Sequence, residues 1–593
     1  MSLSQGAVVG DAKTVERALE DIAVLLSFSA QGRFKAQAYE RGAEIVAALS
    51  FELGPVLEAG RLTDIEGIGA SLSKQIVELW NRGTSELLER LRAEHPPGAA
   101  ELARVPGMTP KRIQALSSAL GVSSVAELRE ACDAQKVRAL PGFGAKTEQR
   151  LRDAIADKER ADASERRVLL SAALPLHQAI ANALGELPFV RSVELAGAAR
   201  RGEETLAELS LVVVLDAGSR DDAALVTSLW ERLARLPMVV RTEPEQHSAL
   251  LADGIPLRLT VVDQAGAALA WLEATGPEAH VLAVHERARE RGVVLTSLAR
   301  PTADVDDGLP DGAAPLSEPD EHSVYRALGL PVIPPELRHL ELARSEQDDF
   351  ADLIAERDIR GAVHCHTTHS DGKNSIEEMA RAAKERGLEY ITITDHSPSA
   401  FYAHGVTLDR LQQQWDEIRA AEQTVGIRIL RGTESDILGD GSLDFPLEVL
   451  KDFDVVIASI HSRLRMSRAD MTQRLVRAME QPVFKIWGHA LGRLLLSREP
   501  IDCDVEAVLD ALAASRGAIE INGDPHRLDL PPQWIGAARA RNIPFVLSVD
   551  AHSTRGLGVL PFAVTMARRG GLRRGEVLNT LSASDFVSRV QPS

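Results

Sequence analysis

The sequence predicts a multidomain protein with an all-α region first, an α+β region in the middle and a parallel α/β barrel or sheet last. Three observations carry this. The chain has 593 residues, too many for one hydrophobic core. Across residues 12–160, Leu, Ile and Ala recur at helical spacing. From residue 361, apolar runs alternate with helical stretches: AVHCH, YITITDH, IRILRGTE, DVVIASIH, VFKIWGH, AIEIN and PFVLSVDAH.

Composition narrows the function classes. Apolar residues make up 45%, enough to fold, while aromatics are only 4%, so base-stacking platforms are few. Lys plus Arg number 67 against 86 Asp plus Glu, a net charge of −19. A protein that coats nucleic acid along its surface is basic, so any such contact here is local. Three cysteines far apart in sequence fit a reducing cytoplasm and no disulfide framework. The sequence shows no apolar run near 18 residues and no export signal at MSLSQGAVVGDAKTVE, which predicts a cytoplasmic protein without a membrane partner.

The first element is a threefold pattern: IEGIGASLSKQI (65–76), VPGMTPKRI (105–113) and LPGFGAKTEQRL (140–151). Each has an apolar residue, a glycine turn and then a helix with Lys or Arg in its first turns. Gly67 with Gly69, Gly107, and Gly142 with Gly144 allow tight turns and bare the amides of a helix N-terminus, a phosphate cradle. Lys74, Lys111 and Lys146 follow the turns, and Thr109 replaces the second glycine of the middle copy. The segments resemble helix-hairpin-helix motifs, which grip DNA backbone without reading sequence.

The second element begins near residue 190, where VRSVELAG, LAELSLVVVLD and IPLRLTVVD read as short strands. Residues 197–214, GAARRGEETLAELSLVVV, resemble the palm motif of family X DNA polymerases, matching it at Gly197, Arg200, Arg201 and Thr205. VYRALGLPVIPPELR (324–338) is similar to the end of that family's core, and GRFKAQAYERGAEIVAAL (32–49) to its small N-terminal helical domain. The catalytic places depart from the family: Glu208 and Ser210 stand for two aspartates and Pro256 for the third, with Asp253 and Asp263 nearby. Nucleotidyl transfer needs clustered carboxylates to hold two Mg²⁺ about 3.5–4 Å apart. The expectation is a core that folds as a polymerase and does not polymerise. Residues 301–323 read as an exposed loop.

The third element carries the chemistry. His364 and His366 lie two apart on a strand and so share a face; Asp371 and His396 follow. Glu434, His461, His489, Asp550 and His552 end later strands. In α/β barrels strand carboxyl ends form the active rim, and imidazoles with carboxylates suit a divalent transition metal. One histidine at a strand end is an ordinary core residue; nine ligand-type residues together are not. Cys365 should face the core. Ser375 and Glu378 form a capping box. His369, His404 and His526 fall in loops, exposed or facing substrate, and Arg463, Arg465, Arg493 and Arg498 are candidates for holding a DNA phosphate.

All nine ligand positions match those of the polymerase and histidinol phosphatase (PHP) domain, a metal-dependent phosphoesterase joined to bacterial family X polymerases. The resemblance implies a distorted seven-stranded barrel and two or three divalent ions, Mn²⁺ or Zn²⁺. It implies His364, His366, Glu434 and Asp550 on one ion, His461 and His489 with Glu434 on a second, and Asp371, His396 and His552 on a third. Glu434, Asp550, His364 and Arg463 would carry catalysis. The implied plan is a helical DNA-binding domain (10–95), a fingers-like helical region (96–160), a palm and thumb core (161–340), a linker (341–358) and the PHP domain (359–585). The implied function is DNA repair by a monomer acting on gapped, nicked or single-stranded ends, as a 3′–5′ exonuclease with possible incision at abasic sites. An active gap-filling polymerase and a small-molecule phosphatase are the alternatives.

Overall fold

The computed structural model describes residues 11–28, 32–47, 53–65, 67–295, 321–342, 348 and 350–592. They divide into two compact units, Met1–Glu165 and Arg166–Ser593.

The first unit is helical, as its periodicity predicts. Its three glycine segments fold alike. Ile68, Met108 and Phe143 each donate an amide to the carbonyl three residues back, on Ile65, Val105 and Leu140, all at 3.0 Å. Gly67, Gly107 and Gly142 occupy the third place of these turns at φ +93°, +87° and +84°, where a Cβ would be strained. Helices Ala70–Arg82, Pro110–Leu120 and Ala145–Glu165 then begin. Thr109 is no departure from the pattern. Its position is a helix N-cap in extended conformation, as Gly69 is, and its hydroxyl accepts the Arg112 amide.

The second unit starts with a five-stranded sheet in the order β2-β4-β7-β6-β5. Here β1 is Val168–Leu169, β2 Val190–Ala196, β3 Thr205–Leu206, β4 Leu209–Leu215, β5 Val239–Glu243, β6 Ser248–Leu251 and β7 Pro256–Asp263. Only β4 and β7 pair in parallel. Pro256 is the first residue of β7, a place a central strand tolerates proline. Helix Glu321–Ala327 opens with a buried Glu321, so the end of the expected loop at 301–323 is structured; residues 301–320 lie outside the described ones.

Seven parallel strands follow: β8 Gly361–Cys365, β9 Tyr390–Ile393, β10 Arg428–Asp436, β11 Val455–Ser459, β12 Ile486–Trp487, β13 Ala518–Asn522 and β14 Phe545–Ser548. They lie in sequence order, and the amides of Val549 and Ala551 bond the Val363 and His364 carbonyls, nearly closing the barrel. Val363, Leu430, Ile457, Ile486 and Val546 fill the interior with Phe586 and Val590 of helix Ala583–Val590, which plugs the floor. Alternation from Val363 would aim Cys365 inward, yet Cys365 joins the outer core. A bulge explains this: register slips between Ala362 and Cys365, and His364 adopts φ +68°. The expected linker is shorter than 341–358, because Leu353 bridges Arg573 and Ile354 is fully buried against the barrel. The capping box of Ser375 and Glu378 forms as predicted.

Candidate metal centre and nucleic-acid contacts

The nine candidate ligands, eight near strand ends and Asp371 in the loop after β8, converge on the barrel's carboxyl rim, with Glu434 in the middle. Its Oε1 lies 2.8 Å from His489 Nε2 and 3.3 Å from both His364 Nε2 and His461 Nε2. Its Oε2 lies 2.9 Å from His396 Nδ1 and 3.7 Å from His366 Nε2. Asp550 Oδ1 is 3.4 Å from His366 Nε2, and Asp371 Oδ2 is 3.4 Å from His552 Nε2 and 3.6 Å from His396 Nε2. Ligand-type atoms gather in three groups: His366, Asp371, His396 and His552; His364, His366 and Asp550; and His396, Glu434 and His461. This partition differs from the one the resemblance implies, since His366 and His396 each belong to two groups.

The donor set fits divalent cations. His364 Nε2, both nitrogens of His366 and His489 Nδ1 are buried and hydrogen-bond nothing in the protein. Burial disfavours ionising Glu434, but the surrounding His461, His396 and His364 outweigh it and hold the carboxyl well below the usual range. Burial lowers the His366 imidazole to about 4, helped by His552 and His396. His364, His489 and Asp550 have φ of +68°, +24° and +44°, backbone strain of the kind that collects at functional sites.

A supporting layer went unseen in the sequence. Glu520 Oε1 accepts from His364 Nδ1 at 2.5 Å and Asp436 Oδ1 from His461 Nδ1 at 2.5 Å, orienting each ring. Asn522 donates to Asp550 Oδ2 at 3.1 Å, with Arg527 Nε 3.5 Å from that oxygen. Asp395 accepts from Thr367, Ser370 and Gln414, fixing the loop that carries Asp371. Strand period was the available signal: Asp436 follows Glu434 by two, and Glu520 and Asn522 share the inward face of β13.

Several basic and loop residues turn out otherwise than expected. Arg493 donates to the Arg527 and Leu528 carbonyls and pairs with Glu204, and Arg498 donates twice to the Gly492 carbonyl, so both guanidinium groups brace loops within the protein. Arg463 and Arg465 are exposed on the loop after His461. His369 is buried and bonds Glu417 at 2.7 Å, a structural role; His404 is exposed, and the exposed His526 bonds Asp524.

In the sheet of the middle region, Ser210 on β4 faces Arg258 on β7. Arg258 Nε lies 3.4 Å from Glu208 Oε2, and Ser210 Oγ donates to Glu208 Oε1 at 3.0 Å. A guanidinium thus stands beside the one carboxylate of the palm position. Asp263 caps the Gly266 amide at the far end of β7, and Asp253 is an exposed turn residue. Arg200 pairs with the buried Glu321 at 2.7 Å and donates to Thr275, while Arg201 bonds the Thr275 carbonyl.

In the first unit Lys74, Lys111 and Lys146 are exposed beside their turns, and a Cβ on Gly69, Gly142 or Gly144 would meet open space. Lys74 lies 3.8 Å from Glu78, a weak surface pair. Among the described residues no helix is long and apolar enough to cross a membrane.

Known families match in three places. A SAM-like helix-hairpin-helix tandem matches residues 99–157, the DNA polymerase beta thumb 270–339 and the PHP domain 362–523. A "probable phosphatase" of Caldanaerobacter subterraneus subsp. tengcongensis is 29% identical over 37% of this chain and 86% of its own. One from Vibrio vulnificus is 29% identical over 38% of this chain and 90% of its own. A crystal structure of Leishmania infantum polymerase beta aligns at TM-score 0.26 and 16% identity over 40% of this chain and 96% of its own, a score too low to show a shared fold. The DNA polymerase/3′-5′ exonuclease PolX of Bacillus subtilis is 32% identical over 97% of this chain and 98% of its own. That likeness runs through the hairpins, the five-stranded sheet and the barrel alike, and the chain belongs to the PolX family.

Proposed function

We propose that this chain hydrolyses DNA phosphodiesters at the barrel rim, as a 3′–5′ exonuclease with incision at abasic sites, and that its polymerase core holds DNA without extending it. The observation that carries the reading is Glu434, one buried carboxylate with imidazoles on both of its oxygens. Bound Mn²⁺ or Zn²⁺ would supply a water acidic enough to give hydroxide near neutral pH, and charge to offset that on phosphate oxygens. Glu434 would bridge ions; His364, His366, Asp371, His396, His461, His489, Asp550 and His552 would complete the set. Glu520 and Asp436 hold the His364 and His461 rings with Nε2 toward Glu434. Arg463, exposed beside the rim, would meet a phosphate oxygen. The glycine turns, with Lys74, Lys111 and Lys146, would grip the DNA backbone.

Arg258 supports the reading of the core. It sits opposite Ser210 and its Nε lies 3.4 Å from Glu208 Oε2, so a guanidinium occupies the space beside the palm carboxylate. The test is twofold. On 5′-labelled gapped DNA with Mn²⁺, the wild type should shorten the 3′ end and His364→Ala should not; equal degradation by the variant refutes the metal centre. With dNTPs on primed template no extension is expected; templated extension abolished by Glu208→Ala refutes the silent core. The relatives that cover 37% and 38% of this chain are named probable phosphatases, so phosphomonoesters belong in the same assay. Turnover of histidinol phosphate without DNA cleavage would favour that second reading.

A further inference from the structure

The turn between helix Gly197–Arg200 and β3 touches the barrel closely. Glu204 in that turn accepts from Arg569 Nη1 at 2.6 Å and from Arg493 Nη2 at 3.3 Å. Gly202, at φ +69°, runs against Thr565 of helix Leu560–Arg569 so tightly that no Cβ fits. Arg569 also donates to the Gly202 carbonyl at 3.4 Å. The three side chains are largely shielded, with Arg493 11% and Glu204 19% exposed.

Arg493 does more than pair with Glu204. It lies in the loop after His489; its Nε donates to the Arg527 carbonyl at 2.9 Å and the same Nη2 also donates to the Leu528 carbonyl, clamping a second loop. That second loop makes one contact back to the first loop and one to the centre. Asp529 accepts the Leu491 amide at 3.0 Å, and Arg527 Nε lies 3.5 Å from Asp550 Oδ2. Both loops are backbone-strained, with φ of +24° at His489 and +42° at Leu528. Strained backbone persists only where its surroundings overdetermine it. Among the described residues, the carboxylate that pairs with Arg493 comes from the five-stranded-sheet region and not from the barrel.

We propose that Glu204 is a positioning residue for the metal centre, acting through Arg493 to hold the His489 and Arg527 loops. The inference rests on reading the centre as a metal site. It gives the polymerase-like core a part in the barrel's chemistry that needs no nucleotide. Arg569 shares the Glu204 carboxylate but reaches neither loop, so it provides the contrast.

The test uses the full chain and Mn²⁺ alone. Calorimetric titration of Glu204→Gln should show Mn²⁺ affinity about tenfold weaker than wild type. Amide exchange over 489–498 should quicken. Arg493→Gln should match it, and the double variant should be no worse than either single. Arg569→Gln should keep wild-type affinity. Wild-type affinity in Glu204→Gln overturns the inference, as does a loss in Arg569→Gln equal to that in Glu204→Gln, which would mark a general clamp. If Glu204→Gln does not fold, Arg493→Gln decides, and unchanged affinity there overturns it. A wild type that binds no Mn²⁺ overturns the metal reading along with it, whereas wild-type binding with unaltered variants overturns the inference alone.

Discussion

Glu434 concentrates the centre's electrostatics in one side chain, so Glu434→Gln, equal in size but neutral, tests it most sharply. Hydrolysis should fall by about 10³-fold or more in a steady-state assay. Glu520 fixes the His364 ring through Oε1 and accepts the His489 amide through Oε2. Glu520→Gln should therefore weaken metal binding by about 10–100-fold in a competition titration while the fold persists. A third prediction concerns His280, which bonds the Tyr325 hydroxyl at 2.8 Å and is 3% exposed. Burial, with Arg338 adding to it, lowers its pKa to about 4, against 6.5 when unfolded. The neutral ring thus stabilises the fold above pH 6.5, and that contribution is lost as pH falls from 6.5 to about 4, roughly 3 kcal/mol at most. Melting curves over this range should show a smaller pH dependence for His280→Gln than for wild type. Eight of the nine rim residues were legible in the sequence because they lie in or just after apolar runs, and Asp371 because it follows His366 by five. Glu520 and Asp436 were not noticed because they look like interior strand residues until a ring nitrogen is found beside them. The loop contacts of Arg493 and Arg498 were not legible, because sequence gives a charge its neighbourhood but not its direction.

At the level of elements, the three glycine turns show how one geometry admits different residues. Gly107 sits at φ +87°, so Gly107→Ala should cost about 1–2 kcal/mol. At the adjoining cap, Thr109→Ala should cost about 1 kcal/mol and Thr109→Gly only a few tenths, because glycine fills the matching place in the first copy. Denaturant melts of the full chain check both. The helices and the seven parallel strands were legible from periodicity. The β8 bulge was not. His364 and His366 do share the site and Cys365 does face the outer core, but only because the strand changes phase at His364. A side-chain pattern with period two reads the same on either side of such a slip.

Across the whole molecule, a net charge of −19 forces any DNA contact to be local. If the turns grip phosphates, replacing Lys74, Lys111 or Lys146 by Gln should each reduce the slope of log affinity against log salt by about 0.9, without altering sequence preference. Fluorescence anisotropy across a salt series reads this directly. The contact between Glu204 and Arg493 spans 289 positions, and no pattern in the sequence pairs the two residues. The barrel floor carries a last consequence, for synthesis. Phe586 and Val590 complete the interior cluster beneath the strands, and both follow His552, the final candidate ligand, in the chain. A ribosome that has released every ligand still holds a barrel without its floor. Translation stalled between His552 and Phe586 would leave a nascent chain with all nine ligands and no formed centre, so metal loading should wait for the floor helix to emerge.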